Sequence, residues 1–226
     1  LAWCCIGLLA CGTAERPVVE GAAPWPFAQV EDNLRHDTLL IQTTFDLSDG
    51  TFLMVAGHVD GTFEGLRLYR YRFAPDSSAE MLAISPPGYD SWTMLPTFFP
   101  VDTAAPDDAL WVLANFGEKE SWGQKVMVLD WEFSDLGFMD VALPERIMED
   151  DTLRLKRRNI APSMRYLEAG DTAVWLFACD SVYLYDDQAG TFDQVLAAER
   201  VRYTFHRNEG LALWVDGRKR LVKRPA

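Results

Sequence analysis

"LRLYRYRF", Leu66 to Phe73, decides the fold class. Arg67, Tyr69, Tyr71 and Phe73 fall on one side of an extended chain, and Leu66, Leu68, Arg70 and Arg72 on the other. A period of two belongs to a β-strand, whose successive side chains point to opposite faces. "VMVLDWEF", Val126 to Phe133, repeats the pattern. Met127, Leu129, Trp131 and Phe133 share one face, and Val126, Val128, Asp130 and Glu132 the other. In both runs two apolar residues precede two charged ones on one face, and the aromatic-rich face closes on Phe. A shorter copy is Val182-Tyr183-Leu184-Tyr185-Asp186.

Around these runs the neighbouring strands recur. Phe52 to Ala56, Leu110 to Ala114 and Val174 to Ala178 each precede one of them, and Leu211 to Val215 is a further copy. Strands are expected to follow at Met81 to Ile84, Leu136 to Leu143 and Phe192 to Ala197. Others are expected ahead, at Thr38 to Phe45, Trp92 to Phe99, Ser163 to Leu167 and Val201 to His206. Gly, Pro, Asp and Ser break the runs, with Asp49-Gly50, Asp60-Gly61 and Asp216-Gly217 as turn signals. The pattern predicts an all-β chain of about four meander units, starting near residues 38, 92, 160 and 201, with Arg154 to Arg158 as a basic linker. Meanders of this size cannot bury both faces alone, so they must stack as the blades of a β-propeller do. A twisted β-sandwich or an incomplete ring are the alternatives. The fourth unit ends a strand short after Arg218 to Lys223, and Trp25 to Val30 is the candidate closing strand.

"VYLYDDQAGTFDQV", Val182 to Val195, resembles the FG-GAP/VCBS class of propeller repeats. There a tyrosine-containing strand leads through an acidic Gly turn into Thr-Phe and the next strand. The Asp-x-Asp-x-Asp-Gly calcium loop common in that class is absent here, so the resemblance does not carry a calcium role over to this chain.

The chain has 226 residues, enough for one sizeable domain. Half of it is hydrophobic, and 34 acidic residues against 21 basic ones give a net charge of −13. Such a field repels phosphate backbones and anionic lipid, which argues against nucleic-acid binding and against docking on a membrane through charge. Membrane attachment would have to be covalent or hydrophobic.

The first residues supply such an attachment. No charge occurs before Glu15, and the apolar run Leu1 to Ala10 is far short of the roughly 20 residues of a spanning helix. Its size fits the apolar region of a secretory signal. The basic segment and initiator Met that should precede it are missing, as expected of a sequence truncated at its start or opened at a non-AUG codon. Leu8-Leu9-Ala10-Cys11 resembles the lipobox of bacterial lipoproteins. That resemblance implies cleavage before Cys11 and acylation of Cys11, and the partner it implies is a membrane reached through lipid. With about 0.8 kcal/mol for each buried CH₂, two or three acyl chains hold a soluble domain stably where one does not. The expected organisation is a signal peptide at 1–10, a lipidated tether at 11–24 and one all-β domain at 25–226. Gly12 following the cysteine points, by the enteric sorting preference, to the outer membrane; more broadly the expected location is the cell envelope.

Chemistry is sparse. Hydrolase elbows, zinc-protease motifs and phosphate loops are all missing from the sequence. Of the four cysteines only Cys179 stands in the domain, in an apolar run, and reads as a small buried hydrophobe. His36, His58 and His206 are scattered singly, without metal-ligand spacing. No cofactor and no metal is expected. The acids Asp46, Asp49, Asp107-Asp108, Asp150-Asp151 and Asp186-Asp187 fall in expected turns. Trp122, in a loop between strands, is the candidate ligand-contact residue, because aromatics dominate contact hot spots and stack on sugar faces. The expected function is a lipid-anchored binding module for a protein or glycan of the envelope. The alternative is an envelope hydrolase or lyase that uses the acidic residues.

Overall fold

A computed structural model describes residues 19–31, 33–34, 36–59, 65–86, 93–101, 109–117, 125–185 and 194–225. Within them the chain is almost entirely β, in four antiparallel sheets, and contains no α-helix.

The first sheet is the meander β1 (Ala28–Val30), β2 (Leu39–Asp46), β3 (Phe52–His58), β4 (Arg67–Phe73) and β5 (Ala79–Ile84), in chain order. The second is the meander β6 (Thr93–Pro100), β7 (Leu110–Gly117), β8 (Lys125–Leu129) and β9 (Asp135–Met139). These are the first two expected units, with one change. The run Val126 to Phe133 stops being a strand at Leu129, because Asp130 closes a turn there. Its Oδ1 accepts the Ser134 N–H at 2.7 Å, its carbonyl accepts the Phe133 N–H at 3.0 Å, and Phe133 takes a positive φ of 62°. The expected strand Leu136 to Leu143 is likewise divided at Asp140, with β9 before it and β10 (Val141–Glu149) after it, in another sheet.

The expected third and fourth units do not form as separate meanders. β10 pairs with β11 (Thr152–Arg158), β12 (Met164–Ala169) with β13 (Thr172–Phe177), and the hairpin β14 (Ser181–Leu184) and β15 (Gln194–Ala197) crosses to β10. The free edge of β13 is taken by β16 (Val201–His206), with Trp175 opposite Tyr203 and Val174 opposite Thr204. β17 (Gly210–Val215) and β18 (Arg218–Lys223) complete that sheet. The third sheet is therefore β11-β10-β14-β15 and the fourth β12-β13-β16-β17-β18. Arg154 to Arg158 is no linker but the body of β11. Its charges alternate as a strand requires: Arg154 and Lys156 reach Glu149 at 3.5 and 3.9 Å, and Arg158 reaches Glu145 at 2.6 Å. Arg157, on the other face, lies over the rings of Tyr183 and Tyr185.

The second sheet is the centre of the molecule. Val112, Ala114, Phe116, Met127 and Leu129 pack on Leu53, Val55 and Leu68 of the first sheet. Leu113, Val126 and Val128 point the other way, into a core shared with Val182, Leu184, Trp175 and Leu213. Burial on both faces explains why β7 reads as a continuous apolar run rather than an alternating one. Asn115, the buried polar residue on β7, donates its amide to Leu95 O at 2.8 Å and Thr97 Oγ1 at 2.9 Å, while its Oδ1 accepts no hydrogen bond among the described residues. Close approach of β9 to the fourth sheet needs Gly137: a Cβ there would lie 2.9 Å from Leu211 Cδ2.

The segment ahead of β1 ties three sheets together. Ala22 bridges to Tyr166 on β12, Trp25 bridges to Phe98 on β6, and β1 joins β2. Trp25 to Val30 thus docks on the first and second sheets and does not close the fourth. Ala22, within the segment expected as a tether, is thus bridged to β12.

Candidate functional site

Between the second and fourth sheets lies a cleft of about 770 Å³. Three turns build its rim: residues 130–134 between β8 and β9, 170–171 between β12 and β13, and 207–209 between β16 and β17. The first turn projects Trp131 and Glu132 because Asp130 and Phe133 fold it tightly. Trp111, Tyr166, Phe205 and Leu136 form the apolar lining. Trp111 meets Phe205 at 5.7 Å and Trp175 at 5.6 Å, both edge-to-face, so its ring is fixed by aromatic packing. The Tyr166 hydroxyl donates to Val101 O at 2.7 Å and joins the two walls.

Carboxylates border this apolar floor from both sheets, Asp130 and Glu132 on one and Glu168 and Asp171 on the other. Glu132, Glu168 and Asp171 are exposed. Arg207 and His206 are the basic side chains of the lining.

A second cluster supports Trp131 from behind. The guanidinium carbon of Arg70 lies 3.7 Å from the centre of the Trp131 ring, and Arg70 Nη2 is 3.1 Å from Asp49 Oδ2. Asp49 Oδ1 accepts the Thr51 amide and hydroxyl at 2.8 and 2.6 Å. Partial burial pushes the Asp49 carboxyl upward, but the Thr51 hydrogen bonds and the Arg70 charge outweigh it and hold it below its ordinary value. Burial lowers the Arg70 guanidinium from its usual value, while Asp49 and Glu132 act in the opposite direction.

The residues singled out in the sequence lie elsewhere. Cys11 and Trp122 fall outside the described residues, as do the pairs Asp107-Asp108 and Asp186-Asp187. Gly117 and Lys125, the described residues on either side of Trp122 in the sequence, stand at the end of the second sheet remote from the cleft. Asp46 and Asp49 cap the β2–β3 turn, and Asp150 and Asp151 form the β10–β11 turn with positive φ of 50° and 56°. Of the described acids among them, Asp46, Asp49, Asp150 and Asp151, none lines the cleft. Cys179 is half-buried and its Sγ approaches Ser181 O at 3.4 Å. Among the described residues no three of His, Cys, Asp and Glu come together as metal ligands.

Sequence reasoning missed the cleft residues as a set. "DWEFS", Asp130 to Ser134, puts a Trp between two acids, and "EAGD", Glu168 to Asp171, is an acidic glycine turn. Each signal is visible; that they meet at one end of two sheets is a tertiary fact. No protein-family model, curated protein or solved structure matches this chain.

Proposed function

We propose that the chain is an exported bacterial lipoprotein, held in the cell envelope by acyl chains on Cys11, whose β domain acts by binding a protein or glycan rather than by catalysis. The cleft between the second and fourth sheets carries the binding part of this reading. An apolar, aromatic floor edged by polar turns is the usual form of a ligand site. The lipobox resemblance of Leu8-Leu9-Ala10-Cys11 carries the anchoring part. A propeller-like stack is the architecture we infer, with the first two sheets as blades packed face to face and the third and fourth exchanging a hairpin.

Fractionation of the full-length protein in its own host tests the anchor. The wild type should sediment with membranes, and Cys11→Ala should move to the soluble fraction and keep its leader. A Cys11→Ala protein that still sediments and loses its leader normally would overturn the reading. Envelope glycan and protein fractions captured by the wild type but not by Trp111→Ser would support the cleft as the binding surface.

A further inference from the structure

We infer that the cleft takes an organic cation: an alkylammonium or guanidinium group, carried by a polyamine or by a basic side chain of a peptide. This rests on the reading that the β domain acts by binding, and it narrows the ligand.

Electrostatics comes first. Among the described residues, Asp130, Glu132, Glu168 and Asp171 border the cleft against Arg207 and the histidine His206, with Arg70 behind Trp131 paired to Asp49. Glu168 and Asp171 have no ion-pair partner among the described residues, so their charge is available to a ligand. The chain as a whole carries −13, which raises the local concentration of cations and repels anions. A neutral sugar would gain from the aromatic floor but has no use for that many carboxylates.

The floor matches the same ligand. Indole and phenyl rings attract a cation through their electron-rich faces, and Trp does so best. Trp111, Trp131 and Phe205 line the same cleft as the carboxylates and are half-buried. Acid and aromatic together define a site that neither defines alone.

The fold already contains one instance of this recognition. Arg70 stacks its guanidinium on Trp131 at 3.7 Å, with Asp49 at 3.1 Å as counter-charge and the Glu132 charge acting on it too. Trp131 also lines the cleft. Elsewhere Arg202 lies over Trp214 at 4.9 Å, and Arg157 over Tyr185 at 4.6 Å. The fold pairs these aromatic rings with its own cations, and the cleft offers the same pairing to an external one.

Titration of the detergent-solubilised full-length lipoprotein by calorimetry tests the inference, using spermidine, hexa-arginine and tri-N-acetylglucosamine. Saturable binding of either cation is expected, weakened about tenfold by Glu168→Gln/Asp171→Asn. The control Asp150→Asn/Asp151→Asn removes the same charge from a turn that does not line the cleft and should leave binding unchanged. Spermidine binding identifies the free amine as sufficient, whereas hexa-arginine alone identifies a guanidinium on a peptide. Equal weakening by both double variants would show diffuse surface attraction and overturn the inference, as would failure of both cations to bind. If only the neutral trisaccharide binds, the cation assignment falls while the binding module stands.

Discussion

Ala22 and Tyr166 pair in both directions: the Ala22 N–H donates to Tyr166 O at 2.6 Å, and the Tyr166 N–H donates to Ala22 O at 2.9 Å. Tyr166 in turn donates its hydroxyl to Val101 O at 2.7 Å. The first described segment is therefore coupled through one tyrosine to both walls of the cleft. Gly21, beside this pair, has φ +131°, and a Cβ there would lie 2.8 Å from Tyr166 O. Gly21→Val should cost about 1–3 kcal/mol from backbone strain and the displaced bridge. Urea denaturation read by Trp fluorescence measures it; an unchanged midpoint would show that the bridge is dispensable.

Phe98 joins the first sheet to the second. Its ring meets Phe27 at 4.9 Å and Phe45 at 5.7 Å, both edge-to-face, and it is 2% exposed. Phe98→Ala should destabilise by about 3–5 kcal/mol, the range for opening an aromatic cavity in a packed core. Phe73→Ala, on a partly exposed ring, should cost clearly less. Equilibrium denaturation of both variants compares them.

Asp49 gives the acid limb of stability a specific source. Its carboxyl titrates below the ordinary range in the folded chain, held down by Thr51 and Arg70 against the opposing effect of burial. A depressed folded value contributes stability above the unfolded value, near 3.8, and loses it as pH falls through the folded one. Asp49→Asn should flatten the fall of the denaturation midpoint between about pH 5 and pH 2. An acid limb identical to that of the wild type would remove Asp49 from the account.

Tyr71 governs the alkaline side. It is fully buried and lies near Thr44 and Asn33, without a hydrogen bond of ordinary geometry. Burial pushes its phenol up to about 12. A raised folded value leaves stability intact below the unfolded value of 10.0 and removes it as pH climbs from there towards 12. Tyr71→Phe should resist alkaline unfolding better than the wild type, at a cost below about 1 kcal/mol near neutrality. Thermal melts from pH 8 to 11.5 separate these outcomes.

The β character of the chain was legible because period two is a local signal, plain in Arg67 to Phe73. The first two meanders were legible for the same reason: their strands follow one another in space as in sequence. Val182 to Leu184 was not, since an apolar run after a short connection reads alike whether it pairs with the strand before it or crosses to β10. Arg154 to Arg158 reads as a linker because four basic residues in five hide the period of two, which only the β10–β11 pairing with Glu145 and Glu149 makes plain. The cleft was illegible as a whole. Trp131, Glu168 and Phe205 are far apart in the chain, and only the packing of the second sheet on the fourth brings their turns together.

Intact-mass analysis of the amino-terminal peptide, from protein purified from its own host, tests the proposed anchoring most directly. The account predicts a peptide that begins at Cys11 and carries the mass of two or three acyl chains. An unmodified peptide that runs unbroken through Leu8-Leu9-Ala10-Cys11-Gly12 would contradict it.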